Sequence, residues 1–208
     1  MDRRAAPRAR VTRALPVVLA LACVLATVPV AAAPKAPRFG PVIEAYAEHV
    51  SPERCRPKAK PGVQAFADLL AEAYPDSAWF GIGRACEGEA TSDHHEGRAL
   101  DWSRDAGDRS ERRDVKDLFA WLFATDEHAN TDALARRLGI TYVIWNRRIW
   151  GSWAGEWSEY CVKKPAGCRD PDSKALLNPH TDHVHFSFGW PGARKRTTFW
   201  DPEASRVE

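Results

Sequence analysis

The chain has 208 residues, 44 % of them hydrophobic and 28 % charged, which suits one domain with a short appendage and excludes a disordered, collagenous or coiled-coil protein. Its formal charge of +2 comes from the first 33 residues, where Arg3, Arg4, Arg8, Arg10 and Arg13 stand against Asp2 and leave 25 basic and 27 acidic residues over the remainder. A body so balanced, with no block of Lys or Arg, lacks the electrostatic footprint of a protein that holds nucleic acid or an anionic membrane.

Residues 1–13 are Arg-rich, Ala14 to Val30 are almost wholly apolar, and Ala31, Ala32 and Ala33 precede Pro34. This is the pattern of a secretory signal peptide over residues 1–33, which predicts a secreted protein with no membrane attachment after cleavage. The alternative is a membrane anchor through residues 14–30, whose seventeen positions stand at the short limit for a span. Once Cys23 departs with the signal, Cys55, Cys86, Cys161 and Cys168 remain, an even number that predicts two disulfides in an oxidising compartment. Of the three pairings, Cys161–Cys168, closing a short Pro/Gly loop, with Cys55–Cys86 is favoured. A four-thiolate zinc site would need two closely spaced pairs, and residues 161 and 168 form the one close pair.

Residues 34–61 carry many Pro and Lys and read as an extended arm around a short helical stretch, Val42 to His49. The third segment, residues 62–208, holds the regular elements. Val63, Phe66, Ala67, Leu70 and Tyr74 recur at helical spacing between Gly62 and Pro75 and predict a helix from Val63 to Tyr74. Trp79 to Arg84 and Ala99 to Ser103 read as strands on either side of a polar loop, Glu87 to Arg98. Helices follow from about Glu111 to Ala124 and from Thr131 to Leu138, the latter stopped by Gly139. Ile140 to Trp145 is a β-branched and aromatic strand that continues after a bend over Arg147 to Trp150. Residues 151–181 are loop-like, and His183 to Phe188 form the last strand before a tail rich in Trp and Arg. Strands and helices without regular βαβ alternation predict an α+β fold around a small antiparallel sheet flanked by helices. All nine Trp lie from residue 79 onward. Most are expected in the core, with Trp150, Trp153 and Trp157 in a Gly-rich loop as the candidates for stacking on sugar rings.

Five of the seven His fall in two segments, His94 and His95 in Ser92–Asp101, and His180, His183 and His185 in His180–Phe188. On the last strand, alternation puts His183, His185 and Ser187 on one face and Val184, Phe186 and Phe188 on the other, so one face is core and the other is imidazole. Gly97 permits a tight turn, after which Ala99 and Asp101 share a face. If the two strands are neighbours, His94, Asp101 and a His from 183 or 185 converge. Two imidazoles and one carboxylate suit Zn²⁺ and leave a fourth position for water, as a catalytic site requires.

His94-x-x-Gly97-x-Ala99-x-Asp101 followed by Asp182-His183-x-His185 resembles the zinc signature of the lysostaphin, D-alanyl-D-alanine peptidase and Sonic hedgehog group. The likeness is closer to the D-alanyl-D-alanine carboxypeptidase-like branch and its secreted actinobacterial and fungal members with Gly-Arg-Ala-x-Asp and Asp-His-Val-His motifs. It spans roughly Val63 to Trp190. The resemblance implies that His94, Asp101 and His185 ligate zinc. It also implies that the general base is either Asp182, the acid three residues before the last ligand, or His183, the position lysostaphin-like members use. Regular alternation favours His183 because Asp182 points to the far face unless the strand begins or bulges there, whereas the family spacing favours Asp182. Asp182 can alternatively orient a histidine from behind. The Gly97 spacing selects His94 over His95, and no role transfers to His180. Carboxypeptidase-like members place an Arg on the strand before the first ligand, a position Arg84 matches, to hold an oxyanion or a substrate carboxylate; an ion pair with a neighbour such as Glu87 is the alternative. Arg98 is expected to brace the loop.

The expectation is therefore a monomeric secreted zinc metallopeptidase that hydrolyses amide bonds of peptidoglycan stem peptides or another peptide substrate, as a carboxypeptidase or an endopeptidase. A non-catalytic zinc-containing binding module of the same fold is the alternative. A metal-dependent nuclease is disfavoured by the near-neutral body.

Overall fold

A computed structural model describes residues 33–86, 92–160 and 179–206. The signal segment, apart from Ala33, and the expected Cys161–Cys168 bridge lie outside the described residues. The first helix, α1 (Pro61–Ala73), opens on a proline at its first turn and buries Val63, Phe66, Ala67 and Leu70. Proline costs no hydrogen bond at that position, and the apolar residues fall on one stripe at helical spacing. Among the described residues six strands form one sheet: β1 (Phe80–Gly81), β2 (Ala99–Ser103), β3 (Ile140–Trp145), β4 (Arg148–Gly151), β5 (Glu156–Glu159) and β6 (His183–Phe188). Their spatial order is β1-β2-β6-β3-β4-β5, and every neighbouring pair is antiparallel. Helices α2 (Arg109–Leu122) and α3 (Ala133–Leu138) are inserted between β2 and β3, and a short α4 (Trp190–Ala193) follows β6. The α+β architecture read from the sequence is the one observed.

The sheet divides its two faces as the alternation of β6 requires. Val184, Phe186 and Phe188 are buried in the core with Leu100 and Trp102 of β2, and Phe66 of α1 meets the rings of Phe186 and Phe188 edge-on at 5.3 and 5.6 Å, a geometry that adds to the area buried. The opposite face of the same strands carries Asp101, His183, His185 and Ser187, all buried.

Three elements differ from the sequence reading. The strand expected over Trp79–Arg84 shortens to Phe80–Gly81, because beyond it the chain bonds to other partners: the Ile82 carbonyl faces the His94 ring and the Arg84 N–H donates to the His94 carbonyl. Val42–His49 is not helical. Its carbonyls are taken by side chains from the body: Val42 O by Arg137, Glu44 O by Arg136 and Ala47 O by Ser152. These hold the backbone extended against the domain. The stretch after residue 151 contains the edge strand β5, whose Trp157 opposes Trp150. Of the three candidate sugar-stacking Trp, Trp150 is buried and Trp157 packs against the core, whereas Trp153 is exposed.

Candidate metal centre

The site is assembled by the register of β2 and β6. Asp101 lies directly opposite His185, and Ser103 opposite His183, and side chains of directly opposed residues in an antiparallel pair project to the same face. His94 comes from a single 3-10 turn, Asp93–Glu96, that ends at Gly97 in a left-handed conformation, φ 64°. A side chain at Gly97 would be strained in that conformation and would set its Cβ 2.1 Å from the Lys58 carbonyl oxygen. The turn returns the chain onto β2 and holds the His94 ring over Asp101.

Arg98 is the internal brace of this turn. It is fully buried and donates to Asp93, Glu96, the Phe188 carbonyl and the Val50 carbonyl at 2.8–2.9 Å. The arm closes the outside: Arg56 N–H donates to His95 O and Lys60 N–H to Gly97 O, while Glu96 accepts from the Glu53 and Arg54 amides. The Cys55–Cys86 disulfide ties this part of the arm to the segment after β1, as the favoured pairing has it.

His94, Asp101 and His185 are brought together as the one group of three or more His, Cys, Asp or Glu among the described residues that is able to hold a metal ion. His94 Nε2 is 3.1 Å from Asp101 Oδ1 and 3.2 Å from His185 Nδ1, and His185 Nδ1 is 2.8 Å from Asp101 Oδ1. The His94 tautomer follows from its neighbour: Nδ1 lies 2.7 Å from the Ile82 carbonyl oxygen, which can only accept, so Nδ1 carries the proton and Nε2 presents a lone pair. His185 Nε2 faces the Ser187 hydroxyl at 3.0 Å, which is able to donate or accept and so serves either tautomer of His185. The site thus gathers the His94 lone pair, a second imidazole able to present one and a carboxylate, a donor set that suits a cation. A tetrahedral ion about 2.1 Å from each donor has donor–donor edges of about 3.4 Å, close to the separations found, so the three residues fit a metal.

Protonation favours the same state. Burial would raise the Asp101 carboxyl, but the His185 and His94 rings set against it outweigh burial and hold the group far below the usual carboxylate range. Burial lowers His185, favouring the neutral ring that a ligand must be. Tyr142 stacks on His185 with centroids 5.4 Å apart; burial and the nearby Asp93 charge keep its phenol un-ionised.

His183 and Asp182 stand beside the three donors. His183 Nε2 is 3.6 Å from Asp101 Oδ1, and its Nδ1 is 2.8 Å from Asp182 Oδ1. The Asp182 side chain is 77 % exposed, so it lies outside the group and behind His183. Arg84 stands at the rim, its side chain 58 % exposed and its guanidinium 3.5 Å from Asp101 Oδ2. His180 packs its ring on His183 and His185 with centroids at 4.7 and 5.6 Å. Trp79 flanks His183 at 5.8 Å. Trp79, Tyr142 and the Ile82 carbonyl were not singled out from the sequence. For Tyr142 a signal existed, a phenol in a mostly apolar strand; for a backbone carbonyl there is none.

Residues 55–165, just over half of the chain, match the family model described as VldE, C-terminal domain. The matched segment contains His94 and Asp101 and ends before His185. No curated protein and no solved structure matches the chain.

Proposed function

The chain belongs to the VldE C-terminal domain family, and from its site we propose that it is an exported zinc metallopeptidase that hydrolyses amide bonds of peptidoglycan stem peptides. The observation that carries the reading is the buried triangle of His94 Nε2, Asp101 Oδ1 and His185 Nδ1 with His183 poised beside it. These three residues would hold the zinc, which when bound supplies Lewis acidity and activates water. The paired motifs around Gly97 and His183, with their likeness to D-alanyl-D-alanine carboxypeptidase-like enzymes, support a peptide as substrate. The Cys55–Cys86 bridge supports an oxidising compartment, and no helix among the described residues is long and apolar enough to cross a membrane.

His183 is the proton acceptor in this reading. With its Nδ1 proton donated to Asp182, its Nε2 lone pair is turned toward the donor group, and the carboxylate steadies the imidazolium that forms. Asp182 therefore works through His183, which gives both candidate bases a part. Ser187 supports His185, and the Ile82 carbonyl supports His94, as partners of ligating imidazoles do. Arg84 is free enough to swing onto a substrate carboxylate or a developing oxyanion.

Mass spectrometry of wall fragments and synthetic stem peptides incubated with zinc-loaded protein tests the proposal, and product masses distinguish loss of a terminal residue from internal cleavage. His183→Ala is expected to keep zinc and lose about 10²- to 10⁴-fold in rate, with Asp182→Asn losing less. Wild type that holds zinc yet cleaves no peptide would replace the peptidase with a binding module, and a fully active His183→Ala would refute the role given to that residue.

A further inference from the structure

Trp153 is the most exposed large hydrophobic residue among those described, at 62 %, and it lies on a closed turn. A Cβ at Gly151 would run into Cε2 and Cζ2 of the Trp153 indole, so the ring lies directly against the Gly151 backbone. The turn that carries it is closed by Ala154 and Gly155 amides donating to the Gly151 carbonyl, and Ser152 N–H donates to Thr141 O. An indole with one side laid on backbone and much of its surface in water, carried on a hydrogen-bonded turn, offers a flat face on which a ligand ring can stack.

The surroundings select the ligand. Trp153 borders two pockets, of about 500 and 530 Å³, both within the range of small-ligand sites, roughly 300–1,000 Å³. The first is rimmed by the Tyr46 hydroxyl, Thr131 and Asp132; Tyr46 donates to the Asp132 carboxylate at 2.7 Å and lies 3.2 Å from the Thr131 hydroxyl. The second adds Glu48 and His49. A flat apolar face with hydroxyls and carboxylates in the pockets beside it matches a pyranose ring, apolar on its C–H faces and hydroxylated around its edge, better than it matches an apolar side chain.

The platform is also joined to the metal centre by aromatic contacts. Tyr142 stacks on His185 and touches Trp153, with centroids 6.3 Å apart, and His49 meets both Tyr142 and Trp153 at 5.5 and 6.1 Å. We propose that Trp153, seated on Gly151 and rimmed by Tyr46 and Asp132, is a subsite for an N-acetylated hexopyranose of the glycan strand whose attached peptide enters the metal centre. The identity of that glycan rests on the wall-peptidase reading; the pyranose chemistry does not.

Calorimetric titration of the zinc-loaded protein with peptide-free wall glycan strands, and separately with β-1,4-linked N-acetylglucosamine oligomers, tests the subsite. Wild type is expected to bind the wall strands, and Trp153→Ala to weaken that binding about tenfold while retaining zinc and an unchanged rate on free stem peptides. Trp153→Phe is expected to restore part of the affinity. Binding of the N-acetylglucosamine oligomers as well would assign recognition to the shared sugar chemistry, and their exclusion would assign it to the wall strand. Absence of binding to either glycan, or equal binding by Trp153→Ala, would overturn the subsite. Glycan binding by a protein that cleaves no peptide would leave the subsite standing and remove the peptidase.

Discussion

Replacing Arg98 with Met is the sharpest test of how the metal loop is held. The guanidinium is fully buried and contacts two carboxylates, Asp93 at 2.8 Å and Glu96 at 2.9 Å, plus two backbone carbonyls. Methionine fills much of the stem's volume but leaves both buried acids without their cation and two carbonyls without a donor. Breaking a buried pair from one side costs about 3–5 kcal/mol. At about 2–4 °C per kcal/mol for a domain of this size, the melting temperature should fall by roughly 6–20 °C. The injury is local to the turn that carries His94, so metal affinity should fall as well. Differential scanning calorimetry of the metal-free and zinc-loaded protein reads both effects, because the rise in melting point on zinc binding grows with the logarithm of zinc affinity. A fall of less than about 2 °C, the equivalent of under 1 kcal/mol, with unchanged zinc stabilisation, would refute the view that Arg98 organises the site.

Three further outcomes are expected. Ser187→Ala removes the partner of His185 Nε2 and should weaken zinc about 10- to 100-fold in a chelator competition; unchanged affinity would show that the hydroxyl does not support the ligand. Burial raises the Asp126 carboxyl, but the Asn130 amide and side chain, Arg137 and the His128 amide outweigh it and pull the group down to about 2. Its stabilising contribution is therefore present above the ordinary carboxylate range and lost as pH falls from about 4 through 2. The stability gap between wild type and Asp126→Asn should close over that window in acid titrations, and a gap independent of pH would contradict the assignment. The Cys55–Cys86 bridge closes a separation of 31 residues, so the double Ser variant should lose about 3–4 kcal/mol of stability in urea unfolding; no loss would mean that the bridge does not stabilise the fold.

What was legible in the sequence was periodic. The i, i+3, i+4, i+7 pattern of Val63, Phe66, Ala67 and Leu70 gave α1, and the alternation of His183 to Phe188 gave both the strand and its split into core and imidazole faces. Gly97 marked a tight turn and Gly139 the end of a helix because left-handed backbone excludes most other residues; both have φ near 65–70°. The convergence of His94, Asp101 and His185 followed from those elements once β2 and β6 were neighbours. The arm was not legible, since its path is set by Arg136, Arg137 and Ser152, more than 90 residues away. Nor was β5, whose Glu-Trp-Ser-Glu sequence is largely exposed at the sheet edge and shows no buried stripe. The base was left open between Asp182, favoured by the family spacing, and His183, favoured by alternation. Alternation describes where backbone directs a side chain and not that an acid preceding the strand can fold back to bond the neighbouring ring.

The measurement that bears most directly on the account is calorimetric titration of the metal-stripped protein with zinc, run for wild type and for His94→Ala, Asp101→Ala and His185→Ala. The account predicts one tightly bound ion per wild-type chain and loss of that site in each variant, with the fold retained by circular dichroism. Undiminished zinc binding in all three variants would place the metal elsewhere and remove the basis for a hydrolase at this site.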